Sequence, residues 1–270
     1  MREIKSAITQ TAGSTIIFGN IPHLTTRPPV LILQLRPEDE TSDSEYGCFL
    51  KYGGLRAENT RRIRIEKSGI PDNLDPANYS AIIVGGSPFD ISTPETRKSQ
   101  IQKKIEADFN KLLEQVVSRD IPFLGACSGN GLLGNYLGTN ISTKYREAVG
   151  CATLDITEEG RQDPLLAGFP AQIDALLGHK EAVDTTPDGA ALLMTGSVCP
   201  VQMFRVGNNV YATQFHPEAD ADEFALRIDM YRNHGYFQPH EADELRKRLS
   251  QKPTPYAHKI LKRFVERYFR

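Results

Sequence analysis

Residues 121 to 138 read IPFLGACSGNGLLGNYLG. A short apolar run with strand character passes into Gly125-Ala126-Cys127-Ser128-Gly129 and from there into a helix start rich in small residues. The pattern glycine-x-nucleophile-x-glycine is what a sharp strand-to-helix turn demands, because side chains flanking the strained nucleophile would strike neighbouring backbone. It places the Cys127 sulfur at a helix N-terminus, where the helix dipole and unpaired N–H groups favour thiolate and lower the thiol pKa. The backbone N–H of Ser128 would point toward an oxyanion formed on attack. The competing reading is that small residues simply let a helix pack closely on the sheet.

Upstream of this turn, VLILQL (30 to 35), RRIRIE (61 to 66), AIIVGG (81 to 86) and PFLGA (122 to 126) alternate with helical patterns, which predicts a parallel sheet covered by helices. Thr93 and Pro94 supply an N-cap and a first-turn proline for a long helix whose stripe is Ile101, Ile105, Phe109, Leu112, Leu113, Val116 and Val117. Downstream, CATLDIT, QIDALLG, ALLM, CPVQMFRV and NVYATQF follow one another through short turns, as mixed or antiparallel strands do. Helical patterns close the chain at 221 to 233 and 256 to 269, the second with a basic face that reads as solvated. The fold class is thus α/β with an appended strand set. We divide the chain into an N-terminal extension (1–29, with one short strand at TIIFG), an α/β domain (30–240) and a C-terminal helical segment (241–270).

Length and composition limit the function classes. The 270 residues suit one core with terminal additions, and 39% hydrophobic with 24% charged residues suits a soluble globular chain. No run of eighteen apolar residues exists to cross a membrane, and an N-terminus carrying Glu3 makes a poor secretory signal, so the expected location is cytoplasmic. A formal charge of -2 provides no basic field for nucleic acid. Cys48, Cys127, Cys151 and Cys199 lie far apart without a Cys-x-x-Cys pair, so neither a zinc ribbon nor a thioredoxin motif is expected, and no metal site. All but Cys127 read as buried small hydrophobes.

The second informative stretch is NVYATQFHPEAD, residues 209 to 220. A strand ends at Phe215 and His216-Pro217-Glu218 follows at its tip. A cysteine nucleophile needs a base, and the base needs an anion to fix its tautomer. His216 can take the proton while Glu218, two residues on and on the same side of an extended strand end, receives the other ring N–H.

Together these stretches resemble the class I glutamine amidotransferases, a Cys-His-Glu family that includes the glutaminase part of GMP synthase. Residues 121 to 134 resemble the family's nucleophile elbow, Gln214 to Glu218 its Gln-Phe-His-Pro-Glu signature, and Val84-Gly85-Gly86 its glycine loop. The resemblance spans residues 30 to about 235 and implies a flavodoxin-like open mixed sheet with helices on both faces. It implies Cys127 as nucleophile, His216 as base, Glu218 as orienting acid and the N–H groups of Gly86 and Ser128 as the oxyanion hole. Gly178-His179-Lys180-Glu181 resembles a loop that contacts substrate, which makes His179 a candidate substrate-binding residue.

Two departures stand out. The family usually has Gln four residues after the cysteine, where this chain has Gly131, and the glycine loop continues as Ser87-Pro88-Phe89 rather than directly with proline. Free glutamine is therefore expected to bind weakly, and Gly131→Gln either to improve activity, if the pocket is otherwise family-like, or to obstruct it through added bulk at the helix start. The implied reaction is thiolate attack on a γ-carboxamide, release of ammonia and hydrolysis of the thioester, with no metal or organic cofactor. No ATP-binding phosphate loop is present, so use of the ammonia would call for a separate synthetase protein. The alternatives are a γ-glutamyl peptidase or hydrolase acting on a substituted amide, and a non-catalytic binding or regulatory protein of the same fold.

Overall fold

The computed structural model describes residues 27–270, so the short strand expected at TIIFG lies outside the described part. The strands are β1 (Val30–Gln34), β2 (Thr60–Arg64), β3 (Ala81–Val84), β4 (Phe123–Ala126), β5 (Ile141–Ser142), β6 (Glu147–Ile156), β7 (Gln172–His179), β8 (Ala182–Val183), β9 (Ala191–Gly196), β10 (Met203–Val206) and β11 (Val210–Thr213). The helices are α1 (Asp39–Gly53), α2 (Ile65–Ser68), α3 (Gln100–Ser118), α4 (Ser128–Tyr136), α5 (Glu158–Gln162), α6 (Ala221–Met230), α7 (Ala242–Ser250) and α8 (Pro255–Tyr268).

Nine strands form one mixed sheet in the order β2-β1-β3-β4-β11-β10-β9-β6-β7, while β5 and β8 pair separately. The first five are mutually parallel, which is the flavodoxin-like order, and the rest add antiparallel from β11 outward. Strand alternation divides the interior between two faces. Val30, Ile32, Ala81, Ile83 and Leu124 pack with Phe49 of α1 and with Ile260, Leu261 and Phe264 of α8. Leu31, Leu33, Ile82, Val84 and Phe123 pack instead with Phe109, Leu113 and Val116 of α3 and with Leu132 and Leu133 of α4. Helices thus cover both faces, and the expected α/β fold is the one observed.

Some local expectations need correction. Thr93 and Pro94 do not start the long helix. Pro94 precedes a short 3-10 turn, and α3 begins after Ser99, whose side chain caps Gln102 N. Ile101 lies on its outer side, 51% exposed, and does not belong to the stripe. The RRIRIE strand ends at Arg64, where α2 begins. Helix α7 lies inside the expected C-terminal helical segment and α1 in the expected helical connection between β1 and β2, but hydrophobic periodicity sets the bounds of neither.

The topology fixes where chemistry can happen. The carboxyl ends of β1, β3, β4 and β11 open on the same edge, and in open α/β sheets the binding crevice forms outside those ends. Arg36, Gly85-Gly86, Cys127 and His216 each follow one of these strands.

Candidate active site

The turn at Cys127 is built as its glycines require. Cys127 has φ 51° and ψ -94°, in the left-handed region that costs a non-glycine residue about 1–3 kcal/mol. Gly125 and Gly129 meet across the bend, and a Cβ on Gly125 would lie 2.6 Å from the Gly129 carbonyl carbon. Cys127 N–H donates to Thr213 O at 2.8 Å, tying the turn to the end of β11. As the first residue of α4, Ser128 carries one of the N–H groups that have no acceptor within the helix.

Beyond β11 the chain carries His216 and Glu218, both buried. His216 Nδ1 lies 2.7 Å from Glu218 Oε1. The turn is held by His216 N–H donating to Leu176 O on β7 at 2.9 Å and by His258 of α8, whose Nδ1 donates to Pro217 O at 3.1 Å. Cys127 and His216 line one pocket, together with Phe89, Gly131, Tyr236 and Phe237.

Beneath these residues lies a cluster of charges that no sequence pattern announced. Arg227 of α6 donates to Glu218 Oε1 at 3.0 Å, lies 2.9 Å from His216 Nδ1 and pairs with Glu223. Arg36 Nε donates to Glu45 Oε1 at 2.8 Å, and Gln34 Nε2 donates to Glu45 Oε2 at 2.9 Å. All five charged groups, Arg36, Glu45, Glu218, Glu223 and Arg227, are buried. Burial pushes the Glu223 carboxyl up to about 7 despite Arg227 and Arg36, which favours its neutral form in the cluster.

Electrostatics correct the expected thiolate. Burial pushes the Cys127 thiol up to about 12 against the opposing charges of Arg36 and Arg227. The helix start acts in the opposite direction, toward thiolate. Burial and then the Arg227 charge lower His216 to about 4, although Glu218 works the other way. Glu218 itself is held below the ordinary carboxylate range by His216 and Arg227, which overcome its burial. At neutral pH the Cys127 thiol and the His216 imidazole that share this pocket are therefore both neutral.

The other singled-out residues divide. Gly86 N–H, expected to face an oxyanion, instead donates to Glu45 Oε1 at 3.2 Å. Both nitrogens of His179 are engaged on the pocket wall, Nδ1 with Glu181 O at 2.9 Å and Nε2 with Glu147 Oε2 at 3.0 Å, so the ring offers no free nitrogen to a substrate. Gly131 borders the pocket, and a Cβ there would lie 2.9 Å from Ile91 Cδ1, so a larger side chain would have to displace that methyl. Ile91 is held in place by its N–H donating to Glu181 Oε1 at 2.7 Å. Among the described residues, Glu147, His179 and Cys199 bring ligand-type atoms within 4.8 Å of one another, with Glu147 also accepting from Gln202 at 2.6 Å.

A model of the family "Glutamine amidotransferase class-I" matches residues 57–235. The glutamine-hydrolysing GMP synthase of Thermosipho melanesiensis is 28% identical over 152 residues, which cover 56% of this chain and 26% of that protein. The chain therefore spans only about a quarter of that relative's length. The glutamine-hydrolysing GMP synthase of Petrotoga mobilis is 25% identical over 190 residues, 68% of this chain and 33% of the relative. A crystal structure of a glutamine amidotransferase from Thermotoga maritima superposes with a TM-score of 0.67 at 19% identity, covering 88% of this chain and 97% of that one, a likeness of fold.

Proposed function

Because the chain belongs to the class I glutamine amidotransferase family, we propose that it hydrolyses the γ-amide of glutamine or a related γ-glutamyl compound through a thioester on Cys127. The observation that carries this reading is the strained Cys127 elbow opening into the same pocket as a His216 ring anchored to Glu218 at 2.7 Å. Neutral His216 takes the thiol proton at Nε2 while sulfur attacks the amide carbon. The C–S bond forms as the C=O π pair moves onto oxygen. On collapse the C=O bond re-forms, the C–N bond breaks, and the departing nitrogen takes the proton from the imidazolium. Water, deprotonated by the same ring, then attacks the thioester and expels the thiolate as the free γ-carboxylate forms. Glu218 keeps Nδ1 protonated and aimed, and Ser128 N–H is a donor to the oxyanion.

A substituted amide is the second reading, and the packing of Ile91 against Gly131 favours it. A side chain at that position would have to displace the Ile91 Cδ1 methyl, and Gly131 itself offers no side-chain group to the substrate's amino-acid end. The pocket also has aromatic walls, Phe89, Tyr236 and Phe237, against which a substituent on the amide nitrogen would pack. Delivery of ammonia to a separate synthetase belongs to the first reading only. Release of ammonia and of amines from glutamine and from a panel of γ-glutamyl amides and dipeptides tests both. Activity retained in Cys127→Ala would overturn the proposal, whereas activity confined to substituted amides would select the second reading.

A further inference from the structure

The Gly86 N–H that the family resemblance assigned to the oxyanion is turned toward Glu45, which leaves the oxyanion side of the pocket short of a donor. The same carboxylate holds Arg36, which is 4% exposed. Two of its three guanidinium nitrogens face protein: Nε donates to Glu45 Oε1 at 2.8 Å, and Nη1 lies 3.5 Å from the Tyr231 hydroxyl. Nη2 has no hydrogen-bond acceptor among the described residues, and Arg36 lines the pocket together with Cys127. Gly86 fixes where Nη2 points. A Cβ on Gly86 would lie 2.5 Å from Arg36 Nη2 and 2.9 Å from His216 Cε1, so Nη2 sits beside the base. The position that the family resemblance assigns to the substrate's amino-acid end is Gly131, which borders Ile91 and Glu181.

We propose that Arg36 is a catalytic residue: its Nη2 donates a charge-assisted hydrogen bond to the oxygen that becomes negative when Cys127 attacks the amide, filling the position that Gly86 N–H leaves vacant. Glu45 is then a positioning residue, holding the guanidinium through Nε and occupying the Gly86 amide at once. A buried cation with one outward donor is preorganised for such a task, since the low local dielectric strengthens its attraction for developing charge and little reorientation is needed. The charge also acts on the sulfur, because among the groups favouring the Cys127 thiolate Arg36 is the strongest. This assignment rests on the amide-hydrolysis reading above.

The test uses the full chain with Arg36→Lys, Arg36→Met and Arg36→Ala, each first compared with wild type by circular dichroism and melting. With whichever γ-glutamyl amide the wild type turns over, Arg36→Met should lower kcat on the order of 100- to 1000-fold with KM little changed. Arg36→Lys should also lose kcat, because one ammonium cannot serve both Glu45 and the oxyanion, and methylguanidinium should partly restore Arg36→Ala. A raised KM at unchanged kcat would mean that Arg36 binds a substrate carboxylate, and would overturn the assignment. If Arg36→Met fails to fold, the Lys variant decides: wild-type kcat in it overturns the proposal. Alkylation of Cys127 supplies a readout independent of substrate. Wild type should favour anionic iodoacetate over neutral iodoacetamide by a larger ratio than Arg36→Lys or Arg36→Met, and an unchanged ratio in the folded variants would remove the cation from the reacting centre. Loss of turnover in Cys127→Ala with no effect at Arg36 would leave the amide-hydrolysis reading standing and this one refuted. Absence of wild-type turnover on every γ-glutamyl amide offered would overturn the amide-hydrolysis reading and this assignment with it.

Discussion

Methionine in place of Arg227 would keep much of the side chain's length and remove its charge, and two independent quantities should respond. Arg227 is 7% exposed and holds Glu218 at 3.0 Å, lies 3.5 Å from Glu45 and pairs with Glu223. Removing one partner of a buried charge cluster costs about 3–5 kcal/mol. Glu223, already raised to about 7, can take up a proton and reduce that loss, so the lower end is expected. The second quantity is the proton affinity of His216. Burial first and Arg227 second bring it to about 4, so the imidazole is neutral above that pH and turnover is lost as pH falls through it. A unit charge about 4 Å away at an effective dielectric constant near 20 is worth about 4 kcal/mol, or about three pH units, and this bounds the effect from above. Arg227→Met should therefore move the acidic limb of kcat/KM upward by about one to three units, with the base neutral in both proteins at pH 8. Rates measured from pH 4 to 9, with the His216 ring titrated by NMR as a check independent of substrate, give the answer. A limb that stays in place or moves to lower pH would refute this account of the cluster.

Three further outcomes follow from the geometry. His216→Ala should abolish turnover, whereas Glu218→Gln, which keeps an acceptor for Nδ1–H, should cost about 10- to 1000-fold in kcat; near wild-type rates in His216→Ala would move the base to another residue. Of the two outcomes weighed for Gly131→Gln, obstruction is the one expected: turnover should fall, because Ile91 Cδ1 lies 2.9 Å from the new Cβ, and adding Ile91→Ala should recover part of the loss; improvement by Gly131→Gln alone would show that the loop yields easily. Gly85→Ala should drive its methyl into the Glu45 carboxylate and cost about 1–3 kcal/mol, read as a fall in melting temperature of several degrees, and an unchanged melt would mean that Glu45 is not rigidly held.

The parts legible in the sequence were those whose constraints are local. The elbow could be read because Gly125 and Gly129 must touch each other, a requirement written within five residues. The parallel strands could be read because a strand buried on both faces is a continuous apolar run. Helix α1, DETSDSEYGCFLKYG, could not: Thr41, Ser42 and Glu45 on its buried side face Arg36, Gln34 and Tyr231, so its inner stripe is partly polar and hydrophobic periodicity cannot reveal it. Arg36 and Arg227 were hidden for the same reason, since an arginine reads as surface until its buried partners are known. The raised Cys127 thiol shows the converse error. The helix start is visible in the sequence, whereas the burial that raises the thiol comes from segments far along the chain.

The pairing of β4 with β11 sets Phe123 opposite Val210 and Ala126 opposite Thr213, so it joins residues 87 positions apart. Cys127 leaves one of these strands and His216 follows the other. No local stretch of the chain can assemble the pair, and neither helix content nor the hairpin of β10 and β11 reports on it. Contacts of such long range carry a large loop-closure cost and form slowly. During refolding, the return of turnover is thus a clock for closure at the centre of the sheet, separate from the recovery of secondary structure, and the catalytic centre serves as a built-in probe of the sheet's longest-range strand pairing.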